Sequence, residues 1–169
     1  MNPMQQIKIE KVTLNIGAGK DQAKLEKGIQ VIKQITGITP VKTITKKRIP
    51  GWGLRPGLPI GCKVTLRKQA AQTIIPRLLY ANEHQLKESQ FDESGSISFG
   101  IPEYIDIKDS KYDPKIGILG LQVCITLEKP GYRVKKRRLR KNYVGKNHQI
   151  TKEEAKSFMQ HTFNVKIEE

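Results

Sequence analysis

The sequence runs to 169 residues, 37% of them apolar, which suits one compact domain covering 1–169 with its own core. Lysine and arginine total 31 against 16 aspartates and glutamates, a formal net charge of +15 and the sign that polyphosphates attract. There is no apolar run of about 18 residues and no helix that sets an apolar face against a basic one, which argues against a membrane target. The MNPMQQIKIEK start also lacks the apolar stretch of a signal peptide, so a cytoplasmic location is expected.

In chain order, residues 7–17 place Ile7 and Ile9 on one face and then Val12, Leu14 and Ile16. The alternation slips near Glu10 and Lys11, which predicts a strand with a bulge. Asp21 can cap a helix through Leu25, Ile29, Ile32 and Ile35 that Gly37 ends. Pro40 opens a short strand over 41–45. Residues 46–59, containing GWGLRPGLP, are too irregular for helix or strand and predict a long loop of the kind that carries function. Ile60, Cys62, Val64 and Leu66 alternate with Gly61, Lys63, Thr65 and Arg67, a half-buried strand with a basic, hydroxylic outer face. Residues 69–87 read as a helix through Ala70, Ile74, Leu78 and Leu79, which Pro76 should kink or shift. Residues 88–118 are acidic and turn-rich, with a short strand at 97–99, and Leu121, Val123, Ile125 and Leu127 mark another strand. Thr151 and Glu154 form a capping box that opens a last helix through Ala155, Phe158 and Met159.

These elements predict an α+β fold, an antiparallel sheet with helices packed on one face and the other face open to RNA. The open face would carry Thr13, Asn15, Lys63, Thr65, Arg67, Gln122 and Thr126, side chains that can meet phosphates and 2′-hydroxyls. An ordinary solvated sheet face has a similar composition. The charge is segregated. No acid occurs from Gly28 to Asn82, and a second acid-free stretch from Lys129 to Lys152 holds Lys135, Lys136, Arg137, Arg138, Arg140 and Lys141. Taken alone, that run could be a solvated tail or an address signal. Between the two stretches lies an acidic middle that includes Glu83, Glu88, Asp92, Glu103, Asp106 and Asp113.

Enzymatic motifs are lacking. Gly17, Gly19, Lys20 and Asp21 suggest a phosphate-binding loop, but the pattern needs glycine at Leu14 and a hydroxyl at Asp21. A backbone contact to RNA, with Lys20 beside it, or a plain strand-to-helix turn remains. His84, His148 and His161 have no nucleophile in a recognisable setting. Cys62 and Cys124 stand too far apart for a metal knuckle and read as reduced thiols, so neither metal nor cofactor is expected. A DNA-packaging role is disfavoured by the acidic middle and by the lack of a helix-turn-helix or minor-groove arm. In KKRIPGWGLRPGLP, Lys46, Lys47, Arg48 and Arg55 suit phosphate, while Trp52 suits either stacking on a nucleoside or anchoring the loop to its own domain.

The segments VTLNIGAGK at 12–20, ITGITPVKTITKKRI at 35–49, GWGLRPGLPIGCKVTLR at 51–67 and FGIPEYI at 99–105, with the helix opening at Thr151, resemble the universal 5S rRNA-binding family of large-subunit ribosomal proteins. The resemblance covers nearly the whole chain. Its KYDPKIGILG segment and the stretch PGYRVKKRRLRKNYVGKNH, which bacterial members lack, make it archaeal in type. It implies a sheet with helices on one side and a place in the central protuberance. The implied partners are 5S rRNA, large-subunit rRNA, peptidyl-site tRNA, the other 5S-binding protein and a small-subunit head protein. By motif match it implies 5S rRNA contacts at Asn15, Thr43, Lys63, Thr65 and Arg67, with Lys20 of the GAGK turn counted among them, and a tRNA-contacting loop with Lys46, Lys47, Arg48, Trp52 and Arg55. The 129–150 extension would meet large-subunit rRNA or tRNA.

Overall fold

The structure, a computed structural model, describes residues 2–168. Its centre is strand β1 (Lys8–Gly17), flanked by β3 (Pro59–Leu66) and β6 (Leu121–Glu128), with β2 (Val41–Ile44) and β5 (Ile97–Ile101) at the edges. All four pairings are antiparallel, in the order β2-β3-β1-β6-β5. The slip read from the sequence is a bulge: Ile9 pairs with Leu127 and Lys11 with Thr126, leaving Glu10 as the extra residue. After it Val12, Leu14 and Ile16 point inward and are buried with Cys62, Val64 and Leu66 of β3 and Val123, Ile125 and Leu127 of β6.

Helices α1 (Gln22–Thr36) and α2 (Lys68–Tyr80) cover that apolar face. The Asp21 carboxylate accepts from the amides of Ala23 at 2.9 Å and Lys24 at 3.2 Å, and Gly37 closes α1 at φ 71°. Gly28 lets the helix approach: a Cβ there would lie 3.1 Å from Cγ2 of Ile16 and 3.3 Å from Sγ of Cys62. Arg77 ties α1, α2 and the acidic segment together by donating to the carbonyls of Ile35 (3.2 Å) and Lys108 (3.0 Å). Pro76 lies inside α2, which continues through it to Tyr80.

One expectation is corrected. The helix read over 69–87 ends at Tyr80, because Glu83 and His84 adopt left-handed backbone at φ 52° and 56°. Residues 85–87 instead form β4 (Gln85–Lys87), paired in parallel with β7 (Lys166–Glu168) at the other end of the chain. The rest comprises a turn of helix, α3 (Arg133–Lys136), and α4 (Lys152–Phe163), whose capping box joins Thr151 and Glu154 as expected. Glu88 fixes α4 to the body by taking Lys152 at 2.8 Å and Lys156 at 3.0 Å, and these two ammonium groups pull its carboxyl down to about 2.

Candidate nucleic-acid interface

The face of the sheet away from α1 and α2 is polar. Cross-strand pairing builds one row from Val41, Lys63, Asn15, Gln122 and Gly100 and a second from Thr65, Thr13, Cys124 and Ser98. Residues paired across a ladder share a face, so these rows belong to one surface. Asn15 donates to the Gln122 side chain at 3.1 Å, leaving amide hydrogens on both groups for an outside acceptor. Thr43 stands beside Gly61, where a Cβ would come within 3.0 Å of the Thr43 hydroxyl and 2.6 Å of the Ile16 carbonyl. A side chain at 61 would disturb this corner. Arg67 follows β3 and is exposed at the start of α2.

The five strands contain two acids, Glu10 in the bulge and Glu128 at the end of β6. Lys136 reaches both, at 2.8 Å and 2.7 Å. Partial burial of the Lys136 amine would pull its pKa down, but the hydrogen bonds to Glu10 and Glu128 outweigh this and raise it. With Lys11 4.0 Å from Glu10, two ammonium groups balance the two carboxylates from within. Lys63 and Arg67 are exposed and take part in no ion pair among the described residues.

One end of the sheet carries the 46–59 loop. It is ordered: Ile49 and Leu54 form a β-bridge around a turn at Pro50–Trp52, and Thr45 binds Leu58 and Gly57 through its backbone at 2.9 Å each. Leu54, 5% exposed, anchors the loop, whereas Trp52 is 70% exposed, so its two alternatives narrow to an outward-facing ring. Lys46, Lys47, Arg48 and Arg55 are exposed and take part in no ion pair among the described residues. The β1–α1 turn leans on the start of β3, where this loop ends, since Ala18 and Gly19 donate to the Ile60 carbonyl at 2.9 and 3.0 Å. Those amides are therefore not available as a phosphate cradle, and Asp21 is a helix cap. Lys20 lies against Gly53, where a Cβ would be 3.7 Å from its Cδ, so Lys20 joins the loop rather than the rows of the sheet.

The other end carries the extension, folded onto the body by contacts between residues 16–25 positions apart in the chain. Lys129 is 4% exposed and donates to both Glu154 oxygens at 2.8 and 2.7 Å. The Tyr132 hydroxyl accepts from Ile150 at 2.9 Å and donates to the His148 carbonyl at 3.2 Å, while the His148 ring sits 2.7 Å from the Pro130 carbonyl. Lys135 stacks over the Tyr132 ring at 4.5 Å. Arg137, Arg138, Arg140 and Lys141 are exposed and have no carboxylate partner among the described residues. Thus five of the six basic residues, all but Lys136, are free of acid contacts. The two basic ends are separated by the length of β1 beyond its bulge, roughly 25 Å at the usual strand rise.

Among the described residues no cluster of three or more His, Cys, Asp or Glu is placed to hold a metal ion, and no helix is long and apolar enough to cross a membrane. Burial raises the Cys62 thiol above its ordinary value, which suits a core side chain.

Comparison with known proteins gives this arrangement its class. The model described as "Ribosomal protein L5" matches residues 2–55, and the model of the C-terminus of the same ribosomal family matches residues 59–159. The chain is 48% identical over 167 residues to the large ribosomal subunit protein uL5 of Nanoarchaeum equitans, covering 98% of each chain. It is 46% identical to that of Sulfurisphaera tokodaii, covering 100% of this chain and 96% of the relative. Against that of Methanobrevibacter smithii it is 45% identical, covering 98% and 97%. The class is therefore a structural, non-enzymatic protein of the large ribosomal subunit, associated with ribosomal RNA in the cytoplasm. Within it, the chain belongs to the ribosomal protein L5 family.

Proposed function

We propose that the chain, folding as one unit, binds 5S rRNA through its open sheet face and attaches it to the large subunit in the central protuberance. The observation that carries this reading is a polar face whose two strand acids, Glu10 and Glu128, are both held by Lys136. Such a face lets Asn15, Thr43, Lys63, Thr65 and Arg67 meet a folded backbone without like-charge repulsion, with affinity from phosphate and selectivity from shape. The exposed 46–59 loop, with Lys46, Lys47, Arg48, Trp52 and Arg55, would reach peptidyl-site tRNA, while Lys20 at its edge would meet 5S rRNA. The 129–150 extension would meet large-subunit rRNA or tRNA. The acidic 83–113 region, remote from both in charge, suits a basic protein neighbour, including the other 5S-binding protein or the small-subunit head protein of an intersubunit bridge.

Filter binding of the full chain to 5S rRNA, tRNA and duplex DNA tests this. The 5S rRNA should bind tightest, and Lys63→Gln with Arg67→Gln should flatten the logarithmic salt dependence by about 0.7–0.9 per lost phosphate contact. The triple change Lys46→Gln, Lys47→Gln, Arg55→Gln should leave 5S affinity nearly intact. Equal affinity for all three nucleic acids, or an unchanged slope in the double variant, would overturn the assignment of the face.

A further inference from the structure

The extension contains a cleft whose lining is chemically uniform. Lys135, Lys136, Lys141, Asn142 and Tyr143 enclose about 640 Å³, within the range of small-ligand pockets, and no acid lines it. Tyr143 is 93% exposed, the most exposed of the large apolar side chains of the described residues. An aromatic ring in water on a loose tail would need no explanation, but this one is held in place on both sides. The amide of Asn142 donates to Val134 at 3.3 Å, and the Asn142 side chain accepts from the Tyr143 amide at 2.8 Å. Val144 packs against the core, and its carbonyl takes the Gln149 side chain at 3.2 Å. The backbone is thus braced while the ring projects outward, so little conformational freedom is lost when something stacks on it.

The charges around the ring are graded. Lys136 is already neutralised by Glu10 and Glu128. Lys135 is steered over Tyr132. Lys141 has no acid contact among the described residues and is free to meet a single phosphate. A ring to stack on, one free ammonium beside it and an amide side chain are the recognition elements of one unpaired nucleotide. Paired RNA buries its base faces in the stack and could not offer one. We propose that this cleft is a subsite for a single unpaired RNA nucleotide, its base stacked on Tyr143 and its phosphate held by Lys141. The subsite rests on the reading that the extension meets RNA, but not on which surface binds 5S rRNA.

The test uses the full chain with a fluorescein-labelled 12-nucleotide mixed-sequence RNA, single-stranded or annealed as a duplex. Tyr143→Ala should weaken single-strand binding about fivefold or more, the lower range for loss of one stacked base, with an unchanged salt slope because no phosphate contact is lost. Tyr143→Phe should keep the affinity, and Lys141→Gln should lower the slope. Duplex binding should be the same in all the Tyr143 variants. Wild-type single-strand affinity in Tyr143→Ala would overturn the proposal and would be the outcome if the ring serves a protein surface instead. Equal losses on single strand and duplex, or a Phe variant as weak as Ala, would also overturn it. Because Tyr143 is exposed, its replacement leaves the core intact. The 5S rRNA affinity of Lys63→Gln with Arg67→Gln, measured in parallel, fails or holds independently of these results.

Discussion

Lys129 is one of two buried polar residues among those described, and its environment shows how a basic segment can be fastened without giving up its positive surface. Its ammonium meets both oxygens of Glu154 and, at 3.4 Å, the Gln149 carbonyl, while Glu154 also accepts from the Thr151 amide at 3.2 Å. Partial burial of the Glu154 carboxyl would raise its pKa, but the Lys129 hydrogen bond and the Thr151 amide outweigh it and the net shift is downward. A depressed folded-state pKa contributes stability above the unfolded value, about 4.3 for glutamate, and that stability is lost as pH falls through the lower folded value. Glu154→Gln leaves the Lys129 charge buried with weakened compensation. The expected cost near pH 7 is about 1–3 kcal/mol, below the ~3–5 of fully buried pairs because the Glu154 side chain is 43% exposed. Lys129→Met should cost less, since the carboxylate left behind can hydrate. Urea denaturation at neutral and acid pH checks both, and a Glu154→Gln deficit that persists undiminished in acid would show that the ion pair is not its source.

At the scale of elements, the bulge in β1 makes a testable difference between neighbouring deletions. Ile9 faces inward and Lys11 outward with Glu10 extra between them, so removing Glu10 restores plain alternation and keeps Val12, Leu14 and Ile16 in the core. Removing Thr13 instead turns one side of the strand inside out. We expect the Glu10 deletion to give a folded protein with a modestly lower melting temperature and the Thr13 deletion to give no cooperative melt by circular dichroism. Equal outcomes would mean that the bulge does not set the register. The bulge was legible in the sequence because its signal is local, as were the Asp21 cap, the Gly37 stop and the Thr151–Glu154 box. The end of α2 was not, because Leu78, Leu79 and Leu86 continue a helical spacing while the left-handed Glu83 and His84 break the backbone. Nor was the β4–β7 pair, whose strands of three residues each find partners only through the tertiary fold. The candidate interface divides in the same way. Its basic positions and outward-facing alternation were readable, whereas the withdrawal of Lys136 by Glu10 and Glu128 depends on residues that only the assembled sheet brings together.

For the whole molecule, the sheet interleaves the two segments matched by the family models: β1 and β2 come from the first, and β3, β5 and β6 from the second. The central strand β1 therefore has neighbours only from the other segment, and one hydrophobic cluster joins them. Onto this body the chain places a net charge of +15, much of it in two acid-free segments at opposite ends of the sheet. Repulsion within each end acts over distances shorter than the screening length of about 10 Å at 0.1 M salt. Repulsion between the ends, roughly 25 Å apart, matters only when that length approaches about 30 Å, near 0.01 M. Salt should therefore stabilise the free protein, steeply from about 0.01 to 0.1 M and weakly above, because the uncompensated cations exceed the few ion pairs that salt would weaken. RNA affinity should fall over the same range, because phosphate binding releases counterions. Melting temperature and 5S rRNA affinity measured across one salt series should thus run in opposite directions. A melting temperature that declines steadily with salt would mean that the internal ion pairs, led by Lys129–Glu154 and the two carboxylates on Lys136, outweigh the repulsion among the exposed basic residues.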